Sequence, residues 1–69
     1  MTYEDAKEFV DGCRAVFYQN QDGEFTEVHP GRNKDGEYVR FVTFQNNGWM
    51  RTNVYYQDGS SDEMYRRQK

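Results

Sequence analysis

The spacing of apolar and polar positions changes period once along the chain. Near the N-terminus, Ala6, Phe9, Val10 and Cys13 stand at i, i+3, i+4 and i+7, with Tyr3 one turn earlier. That spacing lines one face of a helix. Beyond it, short runs rich in Val, Thr, Phe and Tyr are separated by Asp22-Gly23, Asp35-Gly36, Asn47-Gly48 and Asp58-Gly59, at spacings of 13, 12 and 11 residues. Such runs, bounded by Asx-Gly pairs, read as strands joined by hairpins. The chain is therefore expected to form one α+β domain over residues 1–69. An N-terminal helix (about 3–11) packs on a four- to five-stranded antiparallel β-meander.

Local signals set the expected boundaries. Thr2 is the helix cap, with Asp5 three residues on in place of the usual Glu. Glu4 and Asp5 suit the positive end of the helix dipole, and Gly12 reads as a left-handed terminator. Strands are expected at about 14–20, 24–29, 37–46, 49–57 and 60–66. Pro30 and Gly31 end the second, since proline donates no ladder bond. Gly31 to Gly36 then forms a polar, mobile loop. Ser60-Ser61-Asp62-Glu63 would alternatively cap a short C-terminal helix in place of the last strand.

Asx-Gly suits a two-residue hairpin, in which both turn residues take positive φ. If Asn47-Gly48 is such a loop, Phe44 faces Arg51 and Thr43 faces Thr52. One face then carries Val39, Phe41, Thr43, Met50, Thr52, Val54 and Tyr56, which has no charge and is assigned to the helix. The other carries Tyr38, Arg40, Val42, Phe44, Trp49, Arg51, Asn53 and Tyr55. By the same logic Phe17 pairs with Val28 and Ala15 with Pro30, and both join the core.

Composition sharpens this picture. There is no Leu and no Ile, while twelve aromatic residues (17 %) supply the apolar bulk. Each aromatic can bury about 150–250 Å², so a small aromatic-weighted core is expected, worth about 3–5 kcal/mol at most. Apolar runs do not exceed Ala15 to Tyr18, far from the ~20 residues of a membrane helix. No basic segment followed by an apolar one marks a secretory signal. The lone Cys13 makes no intramolecular disulfide, and the natural expectation is a reducing cytoplasm. A formal charge of −3 argues against general nucleic-acid binding, which needs an excess of Lys and Arg.

Few catalytic chemistries fit. His29 and Cys13 are the only members of their types, too few for zinc. They also fall on separate elements, which argues against a Cys–His nucleophile pair. No glycine-rich phosphate cradle is present, and no helix–loop–helix calcium loop fits Gly23 or Gly36. Asp58, Asp62 and Glu63 read as a solvated acidic turn. No cofactor, no metal and no enzymatic activity are expected.

The candidate site is the face of alternating aromatics and arginines. Tyr38, Arg40, Phe44, Trp49, Arg51, Asn53 and Tyr55 are its expected contact residues, with Arg32 and Lys34 as loop contacts. Tyr, Trp and Arg are enriched at interaction hot spots because they join large area to a directional polar group. The primary expectation is a small non-enzymatic protein-interaction module, a regulator or inhibitor of a larger protein in the manner of phage and mobile-element accessory proteins. Its partner would be a foreign protein or a second copy. Two other functions use the same face: stacking single-stranded nucleic acid on its aromatics, or self-association in a homo-oligomer. A coiled sheet would instead fold part of this face into a second small core, with the arginines at its rim.

Overall fold

The structure is a computed structural model that describes residues 1–12 and 17–68. The expected α+β architecture is present. Helix α1 (Tyr3–Gly12) precedes strands β1 (Phe17–Gln19), β2 (Phe25–Asn33), β3 (Gly36–Phe44), β4 (Trp49–Tyr56) and β5 (Ser61–Arg67). The strands form one antiparallel sheet in sequential order. The C-terminal segment is thus a strand and not a capped helix. Cys13, Ala15 and the expected start of the first strand lie outside the described residues.

The helix begins as its cap dictates. The Asp5 amide donates to Thr2 Oγ1 (3.2 Å) and the Thr2 amide to Asp5 Oδ2 (3.4 Å), a reciprocal box closed by Asp. Gly12 is the last helical residue and does not take a left-handed backbone. The apolar stripe packs over β2, β3 and β4. Ala6, Val28, Val39 and Phe41 form the buried centre, with Tyr3, Phe9, Val10, Tyr18 and Tyr55 against it. Phe9 meets Tyr18 edge-on at 5.5 Å and Phe41 at 5.9 Å. Beside them the buried Thr26 and Thr43 hydroxyls share a 3.0 Å hydrogen bond, and Asn20 Nδ2 donates to Thr26 at 2.9 Å.

The turns differ from expectation in a way that changes the faces. Three hairpins share one build, with loops Gln21–Gly23, Asn46–Gly48 and Gln57–Gly59. In each, the residue before the loop donates its amide to the carbonyl of the residue after it: Asn20 to Glu24, Gln45 to Trp49, Tyr56 to Ser60. The Asx side chain accepts from the amide two residues on, as Asp22 does from Glu24, Asn47 from Trp49 and Asp58 from Ser60. Only the glycine takes positive φ, +89° at Gly48. These are three-residue loops, a turn followed by a left-handed glycine bulge, not two-residue ones. Asp58 also accepts the Ser60 hydroxyl (2.6 Å), and these bonds hold its carboxyl below its ordinary pKa. At the fourth turn the loop is Lys34-Asp35, and Asn33 pairs with Gly36.

One extra loop residue shifts each register by one. Phe44 faces Met50, Thr43 faces Arg51 and Phe41 faces Asn53, whereas Phe17 faces Glu27 rather than Val28. A shift of one turns every side chain of a strand over. Arg51, Asn53 and Tyr55 therefore join Val39, Phe41 and Thr43 on the helix side. Met50, Thr52, Val54 and Tyr56 go to the opposite side, as does Phe17, which is 54 % exposed and not a core residue.

Strand β2 also runs through Pro30 and Gly31 to Asn33, so most of the expected mobile loop is strand. The bonds of the neighbouring turns set the phase of the ladder. Odd residues of β2 bond β3, and even ones turn their amides the other way. The amide that Pro30 lacks would point away from β3, and that ladder loses nothing. Gly31 lies under the Tyr38 ring, where a Cβ would come within 2.5 Å of it.

Two glycine substitutions separate backbone strain from packing, since no atom crowds either position. Gly48→Ala places a side chain at positive φ and is expected to cost about 1–2 kcal/mol. Gly12→Ala, on a helical backbone, is expected to stabilise by about 0.5–1 kcal/mol. Urea denaturation of the two variants checks the opposite signs.

Candidate interaction surface

The helix covers one side of the sheet, and no described element covers the other. The uncovered side is built from cross-strand rows. Gln19, Phe25, Phe44, Met50 and Arg66 lie in one row, and Phe17, Glu27, Val42, Thr52 and Met64 in the next. His29, Arg40, Val54 and Asp62 form a third, with Gly31, Tyr38 and Tyr56 beyond them. The first two rows hold an apolar band five strands wide. Phe17, Phe25 and Met64 are 54, 44 and 46 % exposed, and the Phe17 and Phe25 rings lie 6.3 Å apart.

Glu27 interrupts this band on β2 and Arg66 ends its first row on β5, while the other charged groups lie beyond it. Glu27 and His29 approach to 3.0 Å on β2. Arg40 stands at the centre of the third row, with Asp62 and Arg66 on β5. The Tyr56 hydroxyl donates to Asp62 at 3.2 Å, and its pKa is raised by burial and by that carboxylate. Val54 is buried at 5 % exposure, beside a depression of about 270 Å³ lined by Tyr38, Arg40, Tyr56 and Met64. A second depression of about 440 Å³ lies between Phe44, Met50 and Arg66. Val54 alone is sealed, so the second core envisaged for a coiled sheet is confined to that residue.

The structure divides the residues singled out in the sequence. Tyr38, Arg40 and Phe44 lie together on the uncovered side. Arg51, Asn53 and Tyr55 lie on the helix side, where Tyr55 packs on Phe41 at 5.9 Å. Trp49 opens β4 on that side too, with the Arg67 guanidinium 5.6 Å from its ring centre. Arg32 forms an ion pair with Glu37 at 3.3 Å, which Lys7 also approaches at 3.7 Å. Lys34 is exposed at the turn. Met50, Met64, Phe17 and Phe25 belong to the open face and were not among the expected contacts. The sequence carries no local signal for them: Gln21, Asn46 and Gln57 each begin a three-residue loop, but the equally polar Lys34 before Asp35-Gly36 belongs to a two-residue one.

Arg51 lines a groove of about 570 Å³ beside the helix N-terminus, with Tyr18, Thr26, Thr43 and Tyr55. Its Nε is buried and has no hydrogen-bond partner among the described residues. The acids at the rim already have partners, since Glu24 accepts from the Asn46 amide and Asp22 from the Glu24 amide. Among the described residues no three potential ligands converge on a metal position, and no helix is long and apolar enough to cross a membrane. No protein-family model, curated protein or solved structure matches this chain.

Alanine substitutions distinguish the two faces. Phe41→Ala removes a buried ring, a loss of about 3–5 kcal/mol, and is expected to leave the domain largely unfolded at 25 °C. Phe17→Ala and Phe25→Ala are expected to cost under about 1 kcal/mol each, the scale of a cross-strand pair. Circular dichroism against urea reads both.

Proposed function

We propose that this protein is a non-enzymatic protein-interaction module that binds a foreign protein through the sheet face opposite its helix. The observation that carries the reading is the apolar band of exposed Phe17, Phe25 and Met64 and half-buried Phe44 and Met50, which no described element covers in a domain with so little apolar material. Contiguous exposed apolar patches with polar rims mark interaction sites. Two methionines in the band let it adapt to a partner's contour. Tyr38, Arg40 and Tyr56 at its margin are of the types that anchor interfaces. The partner's matching surface is largely apolar, with a cation to meet Glu27 within the band and charges of both signs around it to meet Asp62, Arg40 and Arg66. A regulator or inhibitor acts in this way, by occupying a surface of a larger protein.

The face supports a protein partner better than a nucleic acid. Trp49 and Tyr55 stand on the helix side, so the expected stacking platform is divided. Glu27 and Asp62 also place negative charge beside the remaining aromatics, where a phosphate backbone would run.

A photo-crosslinking amino acid at position 44, compared with one at the exposed Glu8, tests the proposal in cells. A partner captured at 44 and not at 8 is then purified. Phe44→Ala/Met50→Ala is expected to weaken its binding at least about tenfold, or ~1.4 kcal/mol, with the fold unchanged. Unchanged affinity, or quenching of Trp49 by an oligonucleotide that is lost at high salt, overturns the proposal.

A further inference from the structure

Strand β5 is an edge of the sheet, and all seven of its residues are exposed. In an antiparallel ladder, alternate residues turn their amide and carbonyl toward the neighbouring strand. Two bonds set the phase here: the Tyr56 amide donates to the Ser60 carbonyl (2.9 Å) and the Gln68 amide to the Gly48 carbonyl (2.8 Å). Even-numbered residues of β5 therefore bond β4. Ser61, Glu63, Tyr65 and Arg67 point their amides and carbonyls outward, with no strand beside them among the described residues.

We infer that β5 pairs antiparallel with β5 of a second copy about a twofold axis at Met64, joining two five-stranded sheets into one of ten. Three constraints converge on that register. A twofold axis normal to the sheet keeps like faces on one side, so opposed residues must share parity. Outward-pointing residues must also oppose each other, and pairing about Met64 sets Glu63 against Tyr65 and Ser61 against Arg67. The third constraint is charge. The strand reads Ser61-Asp62-Glu63-Met64-Tyr65-Arg66-Arg67, acids before its centre and bases after it. Antiparallel pairing brings Asp62 of each copy opposite Arg66 of the other, in the non-hydrogen-bonded pairs where side chains lie closest.

Other registers are poorer. Centring on Glu63 sets two glutamates face to face, and centring on Tyr65 leaves Ser61 beyond the end of the opposing strand. Parallel pairing opposes like charges. Edge charges ordinarily hold strands apart, but this segregated pattern repels most partners and attracts its own antiparallel copy. Among the described residues, none of Asp62, Glu63, Arg66 and Arg67 forms an ion pair within the chain. The Tyr56 hydroxyl on Asp62 and the Trp49 ring under Arg67 leave both groups exposed. This seam is distinct from the apolar face proposed above, and either can fail without the other.

Light-scattering mass from about 5 to 500 μM spans weak to moderate affinities and tests the seam. The expected result is a dimer of the 8.3 kDa chain. Asp62→Arg opposes arginines across the axis, and Arg66→Asp opposes aspartates. Each alone is expected to weaken dimerisation at least about tenfold with unchanged circular dichroism. Mixing the two restores both Asp–Arg pairs and is expected to give a heterodimer. Tyr65→Pro removes an outward amide without touching the β4 ladder and is expected to be monomeric. A wild-type monomer throughout, a dimer that survives Tyr65→Pro, or no recovery on mixing overturns the inference.

Discussion

A strand shows its side chains to alternate faces, so the length of each turn decides which residues meet the helix. In this chain that choice rests on a three-residue loop used three times, where an Asp or Asn side chain accepts the amide two residues on and a glycine takes the left-handed backbone. With that loop, Phe41 faces Asn53, and Tyr55 reaches the helix core. A loop one residue shorter would bring Val54 and Met50 beneath the helix and leave Arg51 and Tyr55 outside. The core, the open face and the polar groove all follow from this one count.

The same count divides a small stock of apolar material. Without Leu or Ile, the helix side is closed by Val28, Val39 and Phe41 beneath Ala6, with aromatic rings around them. Threonine hydroxyls satisfy each other where the core thins toward the groove. The opposite side keeps three phenylalanines and two methionines that no described element covers. An antiparallel sheet can leave one face to water, but a face so apolar gives up free energy that a bound partner would recover. This is the physical basis for reading it as an interaction surface.

Much of the architecture was legible in the sequence because its signals are local. The 3.6-residue stripe from Tyr3 to Val10 and the Thr2–Asp5 box fixed the helix, and the Asx-Gly pairs placed the strands in meander order. The faces were not legible from those pairs alone, since Asx-Gly fits both a two-residue loop and the closing positions of a three-residue one. The residue before the pair does not separate them either, because Lys34 before Asp35-Gly36 is as polar as Gln21, Asn46 and Gln57 yet belongs to a two-residue loop. Of the expected contacts, Tyr38, Arg40 and Phe44 share the open face because they alternate along β3 alone. Trp49, Arg51, Asn53 and Tyr55 were assigned across the turn and inherited its error. Pro30 was read as a strand end because the direction of its missing amide depends on a register that composition does not supply.

Proton NOE spectroscopy tests the register most directly. Opposed residues in non-hydrogen-bonded antiparallel pairs bring their Cα atoms within about 4.5 Å, close enough for strong Hα–Hα cross-peaks. The three-residue loop requires such peaks for Val42 with Thr52 and for Arg40 with Val54. Cross-peaks joining Thr43 with Thr52 and Phe41 with Val54 would instead report the shorter loop. They would return Tyr55 and Arg51 to the open face and contradict the account.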